Sequence, residues 1–276
     1  MHRSNWTDDK IIHRLLHNKS QTTYWDNIRE LRTRASPGLY NECLKLCASR
    51  IAVRRILGID ISAQLGGAAR PFGKQFRELY FRMLAGEKNQ DVVSSLLYAI
   101  GHNNNKLTRS RLAALGSFTA SRNAAVRTAL AYAVGTYKNP VAYSILMKLA
   151  HDPSPATRDW AVFFLAQGGG ATKAIRETLI LKAKDINSDV RMEAIVGLAK
   201  RGEVLAKELV DAELGKGEFG SLVFDAVSKL QDISYLPKLK VILKRVRKEN
   251  DINFKWKSDL KRAIEELESI DTTSKR

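Results

Sequence analysis

The chain is short of cysteine, and the shortage excludes two classes of protein. Only Cys43 and Cys47 occur among its 276 residues. Two cysteines cannot form a disulfide framework, and there is no second pair for a structural zinc site, which needs four ligands. Because they lie four residues apart, both fall on one face of a helix. We expect them to be buried, reduced and without a redox role.

Long apolar runs are also missing. No segment approaches the ~18 consecutive apolar residues that a membrane span requires. The first residues lack the apolar core of a signal peptide. We therefore expect a cytoplasmic protein that makes no membrane contact.

Acidic residues are outnumbered, with 29 Asp and Glu against 46 Lys and Arg and a net charge of +17. Such a surplus attracts an acidic protein or nucleic acid. The alternative is a generally basic soluble protein, because no long block of like charge occurs. Composition alone leaves these interpretations open.

Helical periodicity runs through the whole chain, and no segment reads as a strand. One stretch occurs five times, starting at residues 92, 126, 157, 190 and 222. This near-constant period is typical of stacked helix pairs. We predict an all-α, right-handed α-solenoid of HEAT-like helix pairs in one continuous domain. Residues 1–50 form an N-terminal helical cap, 51–235 the repeat array, and 236–276 the capping helices and a short tail.

Aligning the five copies separates structural columns from variable ones. The fourth and fifth positions after each start are apolar throughout, which predicts the core seam between stacked helices. These residues are Leu96, Leu97, Leu130, Ala131, Ala161, Val162, Ala194, Ile195, Ala226 and Val227.

The first position after the start holds Arg127, Arg158 and Arg191 in three successive copies. We interpret them as a ladder that bonds inter-repeat carbonyls or carboxylates, with Asp152 and Asp189 as nearby acidic residues. The alternative is an anion-binding role, which we extend to the basic C-terminal residues Lys244, Arg245, Arg247 and Lys248.

The variable columns predict where binding occurs. They place aromatic and acidic residues on one face, expected to be concave: Tyr98, Tyr132, Asp159, Trp160, Phe163 and Glu193. Exposed aromatic residues are good interface anchors and can also stack on bases. The alternative is that these rings fill space between helices.

The copies resemble HEAT-like repeats of the phycobilin-lyase (PBS lyase) type in a bacterial family of stand-alone proteins. The likeness covers about residues 50–215. It rests on Asp152 and Pro153, on Arg158 to Ala161 and on residues 189–202, with further similar stretches at 53–66, 70–72 and 99–102. The resemblance implies the fold more strongly than a function, because such repeats serve unrelated roles.

Enzymatic relatives differ from this chain at their key residues. Deoxyhypusine hydroxylases hold two irons with His-Glu pairs in the repeats, and no His-Glu pair occurs here. Nothing local identifies the pigment site of a lyase. A DNA glycosylase is similar only in composition, through Asp159 and Trp160 on a basic protein. We expect no cofactor, no metal and no enzymatic activity.

These observations favour a scaffold or adaptor that binds another protein, with an acidic partner suggested by the net charge. Adaptors of this kind include bacterial immunity and defence-associated proteins. The alternative function is binding of DNA or RNA backbone in a basic groove.

Overall fold

A computed structural model describes residues 3–102, 107–168, 170, 172–247, 249 and 251–274. Within these residues the chain is all-α and contains no strand. The sixteen helices are α1 (Asp8–His17), α2 (Gln21–Arg32), α3 (Pro37–Cys47), α4 (Ala52–Gln64), α5 (Gly73–Leu84), α6 (Gln90–His102), α7 (Arg109–Leu115), α8 (Ala124–Gly135), α9 (Pro140–Leu149), α10 (Pro155–Gln167), α11 (Lys173–Lys182), α12 (Ser188–Ala199), α13 (Leu205–Gly215), α14 (Leu222–Leu230), α15 (Leu236–Val246) and α16 (Phe254–Ser274).

In most helices a polar side chain caps the N-terminus. The hydroxyl of Ser36 accepts from the backbone N–H of Leu39, and Pro37 occupies the first turn of α3. Asn187 accepts from two backbone N–H groups at the start of α12. These short polar side chains satisfy N–H groups that have no partner within the helix.

Helix α7 is short, and a 3-10 helix over Gly116–Ala120 follows it directly. There the hydroxyls of Ser117 and Thr119 donate to carbonyls three residues earlier, which competes with α-helical bonding. The last helix continues through Ser274, into the region where a short tail is predicted. No glycine or proline follows Asn253 to stop it.

The chain divides into two compact units, residues 1–145 and 146–276, with the boundary inside α9. In the first unit the helices that carry the repeat, α6 and α8, pack side by side, and α4 packs on α6 as an earlier copy. In the second unit α10, α12 and α14 pack in the same way, and α16 packs on α14. The intervening helices pack on these stacks. The predicted all-α fold of HEAT-like helix pairs is confirmed, while its superhelical handedness and the predicted cap boundaries stay predictions.

The core seams are confirmed residue by residue. All ten side chains of the two apolar columns are fully buried. Small residues bring the stacked backbones close together. A Cβ added at Gly197 of α12 would lie 2.7 Å from the Cβ of Ala166 in α10, so a larger residue there would force the helices apart.

The arginine column forms a ladder, as predicted. Arg158 donates from Nη1 to the carbonyls of Asp152 and Pro153, at 3.0 and 3.1 Å, and from Nε and Nη2 to the carboxylate of Asp185. Arg191 donates to the carbonyl of Asp185 at 2.9 Å and to the carboxylate of Glu213 at 2.7 Å. Each guanidinium thus joins the loop before its helix to a later segment.

The carboxylates that Arg158 and Arg191 bond come from Asp185 and Glu213, which follow their arginines in the chain. The ladder also includes Arg55 of α4, which donates to the carbonyls of Ser49 and Arg50 and to the carboxylate of Glu87. Arg127 donates to the carbonyl of Ser121 at 2.8 Å.

Cys43 and Cys47 are buried and unbridged, as expected. Burial raises the pKa of both thiols. Among the described helices, none is both long enough and apolar enough to span a membrane.

Removing a rung of the ladder should destabilise the second unit. The side chains of Arg158 and Asp185 are only 11% and 7% exposed, so Arg158→Ala removes two hydrogen bonds to a buried carboxylate and leaves Lys182, 3.7 Å away, as its ion-pair partner. We expect a loss of about 3 kcal/mol in the free energy of unfolding, measured by urea denaturation. Arg176→Ala is the matched control, because Arg176 is 50% exposed in its pair with Glu203. Equal losses for the two variants would contradict the structural role of the ladder.

Candidate functional site

The residues of the predicted binding face are half-buried and lie in both units. We call them the repeat face: Tyr98 and Tyr132 in the first unit, and Asp159, Trp160, Phe163 and Glu193 in the second. All six lie on helices that carry the repeat.

In the first unit the two tyrosines form a pair. The ring centroids of Tyr98 on α6 and Tyr132 on α8 are 5.4 Å apart. The Tyr132 ring rests on Gly101, where an added Cβ would come within 2.4 Å of it. Gly101 therefore lies within α6 and provides the surface on which the Tyr132 ring packs.

His102 completes this cluster. Its Nδ1 lies 3.3 Å from the hydroxyl oxygen of Tyr132, within hydrogen-bonding distance. Burial lowers the pKa of His102, and the nearby Arg70 and Arg32 lower it further. At neutral pH the imidazole is therefore uncharged.

A pocket of about 470 Å³ opens beside Tyr98. One wall of the pocket is formed by residues of α6 and another by residues of α4. Trp25 of α2 and Ala125 of α8 complete the lining. The α6 residues are Asp91, Ser94, Ser95, Tyr98, Ala99 and His102, and the α4 residues are Ile56, Asp60, Ala63 and Gln64. Both sets have the spacing of one helix face.

Asp60 is the less exposed of the two carboxylates in the wall of this pocket, since Asp91 is exposed. The hydroxyl of Tyr24 donates to its Oδ2, and the hydroxyl of Ser95 donates to its Oδ1, both at 2.8 Å. Burial raises the pKa of Asp60, while these two hydrogen bonds oppose the rise. Among the described residues, no cation forms an ion pair with this carboxylate.

In the second unit the aromatic residues form their own cluster. The ring of Trp160 lies 5.8 Å from that of Phe163, edge to face, and stacks on the buried Phe164 at 5.6 Å. The rings are thus held by neighbours on their own helix while remaining partly exposed. A continuous aromatic ladder through both units stays a prediction.

Carboxylates adjoin these rings. Burial raises the pKa of Glu193 to about 7, and Asp159, Asp225 and Asp189 raise it further by repulsion. Burial and Asp189 also raise the pKa of Asp159. The second part of the repeat face is therefore acidic, although the chain as a whole is strongly basic.

The candidate anion-binding residues lie apart from this face or are engaged within the chain. Arg127, Arg158 and Arg191 belong to the ladder, and that geometry favours the structural interpretation. Lys244 and Arg247 line a pocket of about 330 Å³ beside α15 and α16, while Arg245 is exposed on α15. Lys248 lies outside the described residues. No group of three His, Cys, Asp or Glu among the described residues could hold a metal ion.

Sequence reasoning missed Asp60, Ser95 and Trp25 as residues of one site. One signal was available, because Asp60 is a lone acid between Ile59 and Ile61 in a helix whose other face is apolar. The hydroxyl groups that bond Asp60 belong to Tyr24 of α2 and Ser95 of α6. No local sequence pattern predicts a contact between residues so far apart in the chain.

No family model matches the chain. The sequence is similar to Protein YibA of Escherichia coli K12, with 24% identity over 239 residues, which cover 86% of this chain and 85% of that protein. The X-ray structure of E. coli YibA aligns with a TM-score of 0.68 and 22% identity over 96% of this chain and 93% of that one. This likeness shows a shared fold.

Two further solved structures align with lower scores. Human deoxyhypusine hydroxylase in complex with glycerol has a TM-score of 0.36 at 14% identity, covering 95% of this chain and 96% of that one. A structure of the Pds5–Scc1 complex has a TM-score of 0.42 at 14% identity, covering 95% of this chain and 48% of the matched chain.

The acidic cluster predicts a pH-dependent stability. The pKa of Glu193 is about 7 in the folded protein against 4.5 for an unperturbed glutamate, so its ionisation destabilises the fold. That destabilisation is absent below about pH 4.5 and grows as the pH rises to 7. Glu193→Gln should therefore stabilise the protein by about 2 kcal/mol at pH 8 and by much less at pH 5.

Thermal unfolding at the two pH values measures this difference. Glu208→Gln is the control, because Glu208 is exposed on α13. A Glu193→Gln effect that is the same at pH 5 and pH 8 would contradict the assignment.

Proposed function

We propose that this protein is a non-enzymatic scaffold that binds another protein through the repeat face. The observation that supports this most is the position of its aromatic rings. Apolar columns elsewhere on the same helices fill the core, so Tyr98, Tyr132, Trp160 and Phe163 are left half-buried at the surface. Rings of this kind, fixed by neighbours and partly exposed, are typical anchors of protein interfaces.

The charge of the repeat face changes the charge that we expect of the partner. The net charge suggested an acidic protein, but the charged groups of the repeat face and its pocket are carboxylates: Asp60 and Asp91 in the first unit, and Asp159 and Glu193 in the second. Complementarity therefore favours a basic segment of the partner at this face. The expectation of an acidic partner does not describe this face and suits only the basic surface elsewhere.

The non-enzymatic part of the proposal is supported by the sequence. The repeats lack the His-Glu pairs of the di-iron hydroxylases, and the aromatic and acidic residues of the repeat face match an interface. A role in immunity or defence, and the PBS lyase type of the repeats, stay predictions from the resemblance.

Capture of partners from a lysate of the native organism tests the proposal. Trp160→Ala and Tyr132→Ala should each reduce recovery of the captured protein by about tenfold or more, because each removes an interface anchor. Phe254→Ala is the matched control, since Phe254 is 86% exposed but lies on α16 away from the repeat stretch. Undiminished capture by both face variants would contradict the proposal.

One observation favours a second candidate function, binding of nucleic-acid backbone. The pocket beside α15 and α16 is lined by Lys240, Leu243, Lys244, Arg247 and Lys261. Lys240 pairs with Glu268 at 2.6 Å, whereas Lys244 and Arg247 form no ion pair with the described residues. Free cations at a concave surface are suited to phosphate groups.

A salt titration of binding to nonspecific duplex DNA tests this second function. If it holds, affinity falls steeply with salt, and Lys244→Gln or Arg247→Gln lowers the log–log slope by about one. Lys173→Gln, at an exposed position on α11, should leave the slope unchanged. Absence of binding at low salt would rule this function out.

A further inference from the structure

We propose that the pocket lined by Trp25, Asp60 and Tyr98 receives a basic side chain of the protein partner, with arginine preferred over lysine. This inference rests on the proposed function, because it names the chemistry of the partner at the first-unit part of the repeat face. It can nevertheless be tested without the partner.

The first reason is the unbalanced charge of Asp60. Its two oxygens accept one hydrogen bond each, from Tyr24 and Ser95, and both donors are neutral. Each carboxylate oxygen can accept a further bond. A partly buried carboxylate without a cation is costly, and a bound cation removes that cost. The Asp60 carboxylate therefore favours a positively charged ligand in this pocket.

The second reason is the aromatic wall. Trp25 is 42% exposed and Tyr98 is half-buried, and both line the same pocket as Asp60. The face of an aromatic ring attracts a cation. A guanidinium group is flat, stacks on rings and bonds a carboxylate through two N–H groups at once, which an ammonium group cannot do.

The third reason is the distribution of charged residues along α6. Asp91, exposed, and Ser95, bonded to Asp60, lie in the first turns of the helix, and His102 lies at its end. Near His102 are Arg70 and Arg32, whose charges lower its pKa. The pocket lining therefore carries its carboxylates, Asp91 and Asp60, away from the end of α6, where Arg70 and Arg32 lie near His102 outside the lining. A cationic guest is directed to the Asp60 region.

The volume is consistent with this guest. About 470 Å³ lies within the ordinary range of ligand sites and admits one extended basic side chain with its flanking backbone at the mouth. The largely apolar lining lowers the local dielectric around the carboxylate, which strengthens its attraction for a cation.

The experiment uses the full chain and small probes. N-acetylarginine methylamide and its neutral analogue N-acetylcitrulline methylamide are titrated separately, and the methyl NMR signal of Ile56, which lines the pocket, reports binding. We expect saturable binding of the arginine probe and at least about tenfold weaker binding of the citrulline probe. N-acetyllysine methylamide, titrated in the same way, should bind with an affinity between those of the arginine and citrulline probes. Equal affinities for arginine and citrulline would overturn the proposal.

Two variants separate binding from folding. Asp60→Asn removes the charge, and Trp25→Leu removes the exposed ring while leaving the Asp60 hydrogen bonds in place. Each variant should lower the affinity for the arginine probe by about tenfold, whereas Glu208→Gln should leave this affinity unchanged. Unchanged affinity in a folded Trp25→Leu or Asp60→Asn protein would overturn the proposal. Putrescine is the competing probe, and tighter binding of this free diamine than of the arginine probe would also overturn it.

Failure here is distinguishable from failure of the proposed function. If a partner is captured through Trp160 and Tyr132 but Asp60→Asn does not weaken it and the arginine probe does not bind, the scaffold function stands and this inference fails. If the arginine probe binds through Asp60 but no protein is captured, the proposed function fails and the pocket is a cation site without a protein partner.

Discussion

The ladder of arginines is the interaction on which the rest of the structure depends. In each helix that carries it, the guanidinium bonds the carbonyls of the loop just before the helix, and in Arg55, Arg158 and Arg191 it also reaches a later carboxylate. In the second unit Asp185 serves two rungs, since its carboxylate accepts from Arg158 and its carbonyl from Arg191. Successive repeats of the second unit are therefore fixed to one another at their loops.

Fixed repeats leave one set of positions free to vary. The core columns and the ladder hold the stacked helices, and the acidic residues of the repeat face belong to neither. Glu193 even opposes folding when it is ionised. A group that costs stability at neutral pH is typical of a surface retained for binding. The same reasoning applies to Asp60, whose charge has no cation near it among the described residues.

The sequence predicted the fold well and the site in part. Periodicity in the repeated stretch predicted the helices, the buried columns and the arginine ladder, since these depend on residues at fixed spacing. It also placed Tyr98 and Trp160 on the variable face. It could not predict the pocket, because Asp60 meets Tyr24 and Ser95 only after three helices pack. The charge of the partner could not be predicted from the net charge, because net charge averages over a surface on which acids are locally concentrated.

Hydroxyl-radical footprinting of the protein with its captured partner tests the central claim most directly. Aromatic side chains are oxidised when exposed, so each reports the surface around it. We expect the partner to protect Tyr98, Tyr132 and Trp160 and to leave Phe254 of α16 unprotected. Protection of Phe254 with no change at the other three would contradict the claim that the repeat face is the binding surface.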